Sequence, residues 1–329
     1  RSLVQEIYHP ITRERAYFPT GKFDQLQHNV PFGAIVAALA DLVQQLLTES
    51  EASIAAWRDR IQHAVQPNGK LLTDVVPGLE VIIGPQPAIP DLDPFEAQNR
   101  FKLVFQSFVQ VFCKREHPLV LFLDDLQSAD PASLNLVTLI VSARSTESLL
   151  LVMTYRDSEV AQDHPFTVAM QELAQQDVPG ATMEVAPLTP ADVAQLAAGA
   201  LHRPPGEVEP LAAVIHKKTG GNRFFVRQFL EALHAEKLIS FDRGSRAFRF
   251  DIAAVEAATI TENVADFLAS KLGRLPGHTR AALCTAAAIG NRFALPVLAR
   301  VYGHTPAETA EHLQRAIDDG LITPASAQT

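Results

Sequence analysis

The chain has 329 residues and a mass of 35.9 kDa, room for about two domains or three small ones. Hydrophobic residues make up 47% and charged residues 20%, with ordinary Gly and Pro usage, which excludes disordered, collagen-like and low-complexity classes. The net charge of −9 argues against a general nucleic-acid binder, which needs clustered Lys and Arg, and two cysteines cannot build a disulfide framework or a four-Cys zinc site.

Cys113 and Cys284 both lie in apolar helical patterns, which predicts buried free thiols in a reducing cytoplasm. No segment approaches the roughly 20 uninterrupted apolar residues of a membrane span. The chain opens Arg1-Ser2-Leu3-Val4 without a signal pattern and ends at Ile322-Thr323-Pro324 behind a helical pattern. Both ends read as cut, so a piece of a larger polypeptide is expected.

In chain order, Ser2–His9 reads as the rest of a helix stopped before Pro10, and Arg15–Gly21 as a short strand. Pro31–Leu47 carries Ile35, Leu39, Leu42, Val43 and Leu46 at helical spacing, and Ala52–Val65 is a more polar helix. Prolines 67, 77, 85, 87, 90 and 94 mark a connecting region with a short helix inside it. Glu96–Arg115 is amphipathic, and its stripe of Phe101, Phe105, Phe108 and Phe112 predicts core. His117–Asp125 holds five consecutive apolar residues ended by two acids, the pattern of a strand buried on both faces of a parallel sheet.

Pro131–Arg144 is a helix with Asp130 as its N-cap, Leu149–Tyr155 a second buried strand, His164–Gln176 a helix and Thr182–Val185 a short strand. This alternation predicts a three-layer α/β domain. From Thr189 the pattern turns helical: Pro190–Leu201, Val208–Thr219 and Asn222–Glu236, then a hairpin over Leu238–Asp251 turning at Arg243-Gly244-Ser245. Val264–Arg274, Thr279–Ile289, Ala294–Tyr302 and Pro306–Asp319 follow, with a capping box at Thr305 and Glu308. These short helices resemble a winged-helix core without its wing. No internal repeat is visible.

The chemistry concentrates at Leu119–Asp125 and the following Leu126-Gln127-Ser128-Ala129-Asp130. A buried parallel strand ending in two acids places both carboxylates at the C-terminal edge of the sheet, where ligands bind in open α/β folds. One carboxylate there can hold Mg²⁺ through water and its neighbour can orient an attacking water. An ordinary strand can also end in two acids, so the pair alone does not decide. The eleven histidines show no metal-ligand spacing, and Ser128 is not in a Gly-x-Ser-x-Gly elbow.

Five blocks come in one order: Gly21-Lys-Phe-Asp-Gln25, Gln98-Asn-Arg-Phe101, Leu121–Asp130, Tyr155-Arg-Asp157 and Gly220-Gly-Asn-Arg-Phe-Phe225. Together they resemble the AAA-type ATPase domain of the STAND class of signalling NTPases, found in bacterial hybrid sensor kinases, Ser/Thr kinases and transcriptional regulators. The resemblance implies a P-loop NTPase-like α/β fold whose three-layer parallel sheet lacks its first strand, over residues 1–188. It implies a helical lid at 189–258 and a winged-helix-like segment at 259–329. It also implies ATP and Mg²⁺ as cofactors, with MgATP between core and lid. By the resemblance Asp124 is the magnesium residue, Asp125 the neighbouring catalytic acid and Arg156 the sensor arginine for the γ-phosphate, with an ion pair to Asp157 or Glu159 as the alternative for Arg156. Asn222 and Arg223 fall in the lid motif that faces the nucleotide.

Three departures stand against this. No Gly-x-x-x-x-Gly-Lys-[Ser/Thr] loop occurs in the chain. Its near-match at Gly21-Lys22 is rejected because Ala16 and Phe23 fill the first Gly and the Ser/Thr positions. By the resemblance the loop would lie just before Leu3, and loss of the first strand would leave sheet edges unpaired and the chain poorly stable. Ser128 stands where the family has Trp, and Arg223 stands where it has Pro, facing either phosphate or water. The expected function is an ATP-binding and hydrolysing switch in a larger signalling regulator. Flanking kinase or regulatory domains, or a second copy, are the expected partners, without membrane. The alternatives are a nucleotide-silent scaffold and a DNA-binding initiator-like ATPase. The second is disfavoured because Pro306–Asp319 carries four acids against Arg315.

Overall fold

The computed structural model describes residues 4, 6, 16–24, 31–89, 94–143, 148–242, 244, 247–257, 269, 272–290 and 293–324. The chain divides into two compact units, Arg1–Ala181 and Thr182–Thr329.

The first unit is built on a parallel sheet of β1 (Thr20–Lys22), β2 (Leu119–Asp124) and β3 (Leu149–Met153), in the order β1-β2-β3. Mixed α/β architecture with a parallel sheet is what the alternating pattern requires, and the fold is P-loop NTPase-like. β2 is central, and its five apolar residues are all buried. Leu119, Leu121 and Leu123 enter the main core, while Val120 and Phe122 pack on the other face with Val4 and Phe18. This is the period-two division of a strand covered on both sides.

The main core is completed by α1 (Gly33–Leu47), α2 (Glu51–Val65), α5 (Pro94–Phe112) and α6 (Pro131–Val141). Phe105, Phe108 and Phe112 of α5 are fully buried, the core role that their spacing predicts. Two short helices, α3 (Lys70–Thr73) and α4 (Leu79–Ile83), interrupt the proline-rich connector. Asp130 caps α6 by accepting from Ser133 N at 2.9 Å. β1 lies close against α1, where a Cβ on Gly21 would sit 2.2 Å from the Ala34 carbonyl oxygen. Asp41 of α1 ties the strand down by accepting from Thr20 N at 2.9 Å and Thr20 Oγ1 at 3.1 Å. The helix α7 (Pro165–Gln175) ends the alternating pattern.

Four expectations are corrected. Among the described residues the first strand begins at Thr20, because Pro19 has no N–H for the ladder, and upstream of it Tyr17 makes an isolated bridge to Leu119; Arg15, where the strand was expected to begin, lies outside the described residues. β3 is not buried: it is an edge strand, and Leu150 is 52% exposed. Thr182–Val185 forms no strand, since among the described residues it has no neighbour to pair with; Met183 and Val185 are 86% and 69% exposed. Cys284 is exposed, whereas Cys113 is buried as expected.

In the second unit, α8 (Pro190–Leu201), α9 (Pro205–Thr219), α10 (Arg223–Ala235), the hairpin β4 (Ile239–Asp242) and β5 (Ala247–Phe250), and α11 (Ile252–Ala257) share one core. Thr189 and Asp192 form a capping box at the start of α8. A separate small core around Ala282, Ala286, Leu298 and Leu313 joins α12 (Gly277–Ile289), α13 (Leu295–Tyr302) and α14 (Pro306–Asp318). The expected helix Val264–Arg274 and hairpin turn 243–245 fall largely outside the described residues. Among the described residues no helix is long and apolar enough to cross a membrane.

Candidate functional site

The C-terminal edge of the sheet gathers residues from all three strands. Parallel register sets Lys22, the last residue of β1, opposite Asp124, the last of β2. The chain then turns sharply: Asp125 has φ 59° and ψ 49°, a left-handed conformation that Asp tolerates better than most residues. The turn brings the Asp125 carboxylate back over β1, where Oδ2 lies 2.7 Å from Lys22 Nζ. Its Oδ1 accepts from Gln127 Nε2 at 3.1 Å.

Thr154, directly after β3, joins the two acids. Its hydroxyl donates to Asp124 Oδ1 at 2.5 Å and accepts from the Asp125 N–H at 3.4 Å. Its backbone is locked as well, with Thr154 N donating to Leu123 O at 3.0 Å and Leu126 N donating to Thr154 O at 2.9 Å. Asp124 is thus oriented through one oxygen, which leaves its second oxygen for a ligand. For Asp125, partial burial pushes the carboxyl upward. The hydrogen bonds from Lys22 and Gln127, with the charges of Lys22 and Arg156, outweigh that and hold it below the ordinary carboxylate range.

Arg156 lies on the same edge, with its backbone N donating to Gln127 Oε1 at 3.3 Å. Its guanidinium pairs with Glu159 at 2.7 Å and is 61% exposed, the surface pairing that stood as the alternative for this residue. Glu159, ahead of the fields of Asp125 and Asp124, raises its pKa. Ser128 is buried at 4% exposure, so a small side chain fills this place beside the acids.

Asn222 and Arg223 belong to the second unit. Asn222 is the N-cap of α10, its Oδ1 accepting from Phe224 N at 3.0 Å and Phe225 N at 3.4 Å, and Arg223 opens the helix. The preceding Gly221 has φ 72°, and a Cβ there would meet the Leu188 carbonyl oxygen at 2.2 Å. Asp124, Asp125 and Arg156 share one edge of one sheet, whereas Asn222 and Arg223 build a helix start elsewhere in the chain.

Lys22, Thr154 and Gln127 were not singled out as site residues by sequence reasoning. Lys22 stands in the first of the five blocks, and its place at the end of a strand was the available signal. Gln127 stands in the third block, whereas Thr154 carries no signal, because its role comes from strand pairing. For a magnesium ion with a nucleotide, the donor set fits in kind. Mg²⁺ takes one or two carboxylates and completes its shell with water and phosphate oxygens, and Asp124 offers such an oxygen.

Residues 1–152 match the family model of the AAA ATPase domain. The chain is 28% identical over 368 residues to the hybrid signal transduction histidine kinase G of Dictyostelium discoideum. That match covers 93% of this chain and 10% of that protein, so the chain spans about a tenth of the relative's length.

Proposed function

We propose that the first unit is a nucleotide-dependent switch that binds ATP with Mg²⁺ at the C-terminal edge of its sheet, within a larger signalling protein. The observation that carries the reading is the convergence of Asp124, Asp125, Thr154 and Lys22 from three strands on one edge. Asp124 is the residue for the metal, positioned by Thr154. Asp125 is the acid for orienting a water. A bound magnesium ion supplies positive charge against the phosphates.

The chain's own groups prepare this in two ways. Lys22 keeps Asp125 ionised and turned toward β1, so Asp125 becomes available to water only when that ion pair opens. Arg156, paired with Glu159 through one nitrogen, can meet a phosphate with its remaining N–H groups or by exchanging that partner. Both exchanges trade a partly exposed ion pair, worth about 1 kcal/mol or less, for contact with a highly charged ligand. The site is therefore poised at small cost rather than locked.

In this reading residues 189–258 act as a lid, residues 259–329 as a winged-helix-like segment, and flanking kinase or regulatory domains receive the signal. The nucleotide-silent scaffold has one observation in its favour. No Gly-x-x-x-x-Gly-Lys-[Ser/Thr] loop, the backbone cradle for the β- and γ-phosphates in sites that use one, occurs among the 329 residues. Titration with a fluorescent ATP analogue, with and without Mg²⁺, separates the two. Saturable Mg²⁺-dependent binding that Asp124→Asn abolishes supports the switch. No binding at millimolar nucleotide, in a chain that melts cooperatively, supports the scaffold.

A further inference from the structure

At the end of the sheet away from Asp124, the first unit holds a cavity of about 650 Å³, within the size range of small-molecule sites. Tyr17 bridges to Leu119, the first residue of β2, so the cavity lies about 16 Å along that strand from the acidic edge. Tyr17 precedes β1, and Glu49 lies between α1 and α2. Trp57 and Arg60 come from α2, and Glu116 and His117 from the turn before β2.

Trp57 is the chain's only tryptophan and is 4% exposed. Its ring stacks on Phe112 at 5.0 Å and meets Tyr17 at 5.8 Å and His117 at 4.7 Å, edge to face, between centroids. The Arg60 guanidinium carbon stands 5.0 Å from the centroid of that ring, a cation–π contact that leaves the guanidinium edges available. Arginine only donates, so the 3.4 Å contact of Arg60 Nη1 with His117 Nε2 has the imidazole as acceptor. His117 then donates from Nδ1 to the Phe112 carbonyl oxygen at 3.3 Å. On the acid side, the Tyr17 hydroxyl donates to Glu49 Oε1. Burial, ahead of the Glu49 bond and charge, raises the Tyr17 pKa well above the ordinary phenol value, against the pull of Trp57 and of the Arg60 charge. One hydroxyl thus touches an acid and feels a cation.

Among the described residues, Arg60, Glu49 and Glu116 make no ion pair, with each other or with any other group. The cavity therefore presents an unpaired cation and unpaired acids to one space. A simple anion would meet Arg60 but also the two acids, and a simple cation would meet the acids but also Arg60. A ligand that carries both charges satisfies each side. We propose that this cavity binds a small zwitterion of the amino-acid type, free or as a dipeptide, with its carboxylate on Arg60, its ammonium on Glu49 and its side chain against Tyr17 and Trp57. Arg60 offers the planar fork that matches a carboxylate. Glu49 keeps Oε2 for the ammonium, since Tyr17 takes Oε1. The aromatic wall is already assembled by the ring contacts around Trp57. This site is separate from the acidic sheet edge and does not rest on the nucleotide reading of it.

The test is titration of the full chain followed by the fluorescence of Trp57, with calorimetry in parallel to register binding that leaves the fluorescence unchanged. The probes are L-phenylalanine, L-phenylalanylglycine, hydrocinnamate, which lacks the ammonium, and phenethylamine, which lacks the carboxylate. Saturable binding of L-phenylalanine, of the dipeptide or of both is expected, and the pattern tells a free amino acid from a peptide. The two single-charge analogues should bind at least about tenfold more weakly. Arg60→Gln and Glu49→Gln should each weaken zwitterion binding by at least about tenfold, the latter while keeping an acceptor for Tyr17. The inference is overturned if neither zwitterion binds, if hydrocinnamate or phenethylamine binds as tightly, or if both variants bind like the unchanged chain. Thermal melts of the two variants separate a lost ligand contact from lost folding.

Discussion

Asp125 combines an unusual backbone conformation with a partner on another strand. Its left-handed φ aims the carboxylate at Lys22, and Lys22 in turn keeps the carboxylate charged. Because folding lowers its pKa, the pair stabilises the chain above the ordinary Asp value. That contribution is lost as pH falls from about 4 through the folded value. Lys22→Met should therefore reduce stability at pH 7 by no more than about 1 kcal/mol, given the partial exposure. Denaturant melts of the two proteins should converge below about pH 4. Gly21, one residue earlier, faces a steric demand. With the Ala34 carbonyl oxygen 2.2 Å from a built Cβ, Gly21→Ala must push β1 off α1, which should cost about 1–3 kcal/mol in a thermal melt. Neither demand was legible in the residues themselves, since a glycine and a lysine at the end of a short strand do not reveal which helix or acid lies against them.

At the scale of elements, β2 and β3 have similar compositions and different surroundings. Both read as buried apolar strands, yet β2 is enclosed and β3 lies at the edge of the sheet. Ser148 O and Thr154 N point toward β2, so Leu149, Leu151 and Met153 direct their N–H and C=O groups to the other side. An apolar edge strand of this kind templates association. Leu150→Lys should thus lower light scattering at high protein concentration without moving the melting temperature, because Leu150 is already 52% exposed. A shift to lower melting temperature would mean that Leu150 is covered in solution. The helices were more legible than the strands. Caps such as Asp130, Thr189 and Thr305 are local hydrogen bonds written into adjacent residues, whereas strand pairing joins residues about a hundred positions apart.

For the whole molecule, the separation at Ala181 and Thr182 falls in a stretch without helix or ladder, whose Met183 and Val185 side chains are open to solvent. Limited proteolysis should cut first between residues 177 and 188, giving fragments near the size of the two units. Resistance there, with cutting elsewhere, would show that the stretch is protected. The second unit has two cores, one over α8 to α11 and one over α12 to α14.

The amino-acid sequence alone determined the α/β class of the first unit, the helical character of the second, the helix starts, and the place of Asp124 and Asp125 at the end of a buried strand. These follow from periodicity, local capping and an apolar run ended by charge, all properties of neighbouring residues. Tertiary structure alone decided that Lys22, Thr154 and Gln127 hold those acids, that β3 lies at an edge, and that Tyr17, Trp57, Arg60 and His117 meet. Each of these depends on which strands pair and which helices pack, and so on contacts between residues that no local pattern connects.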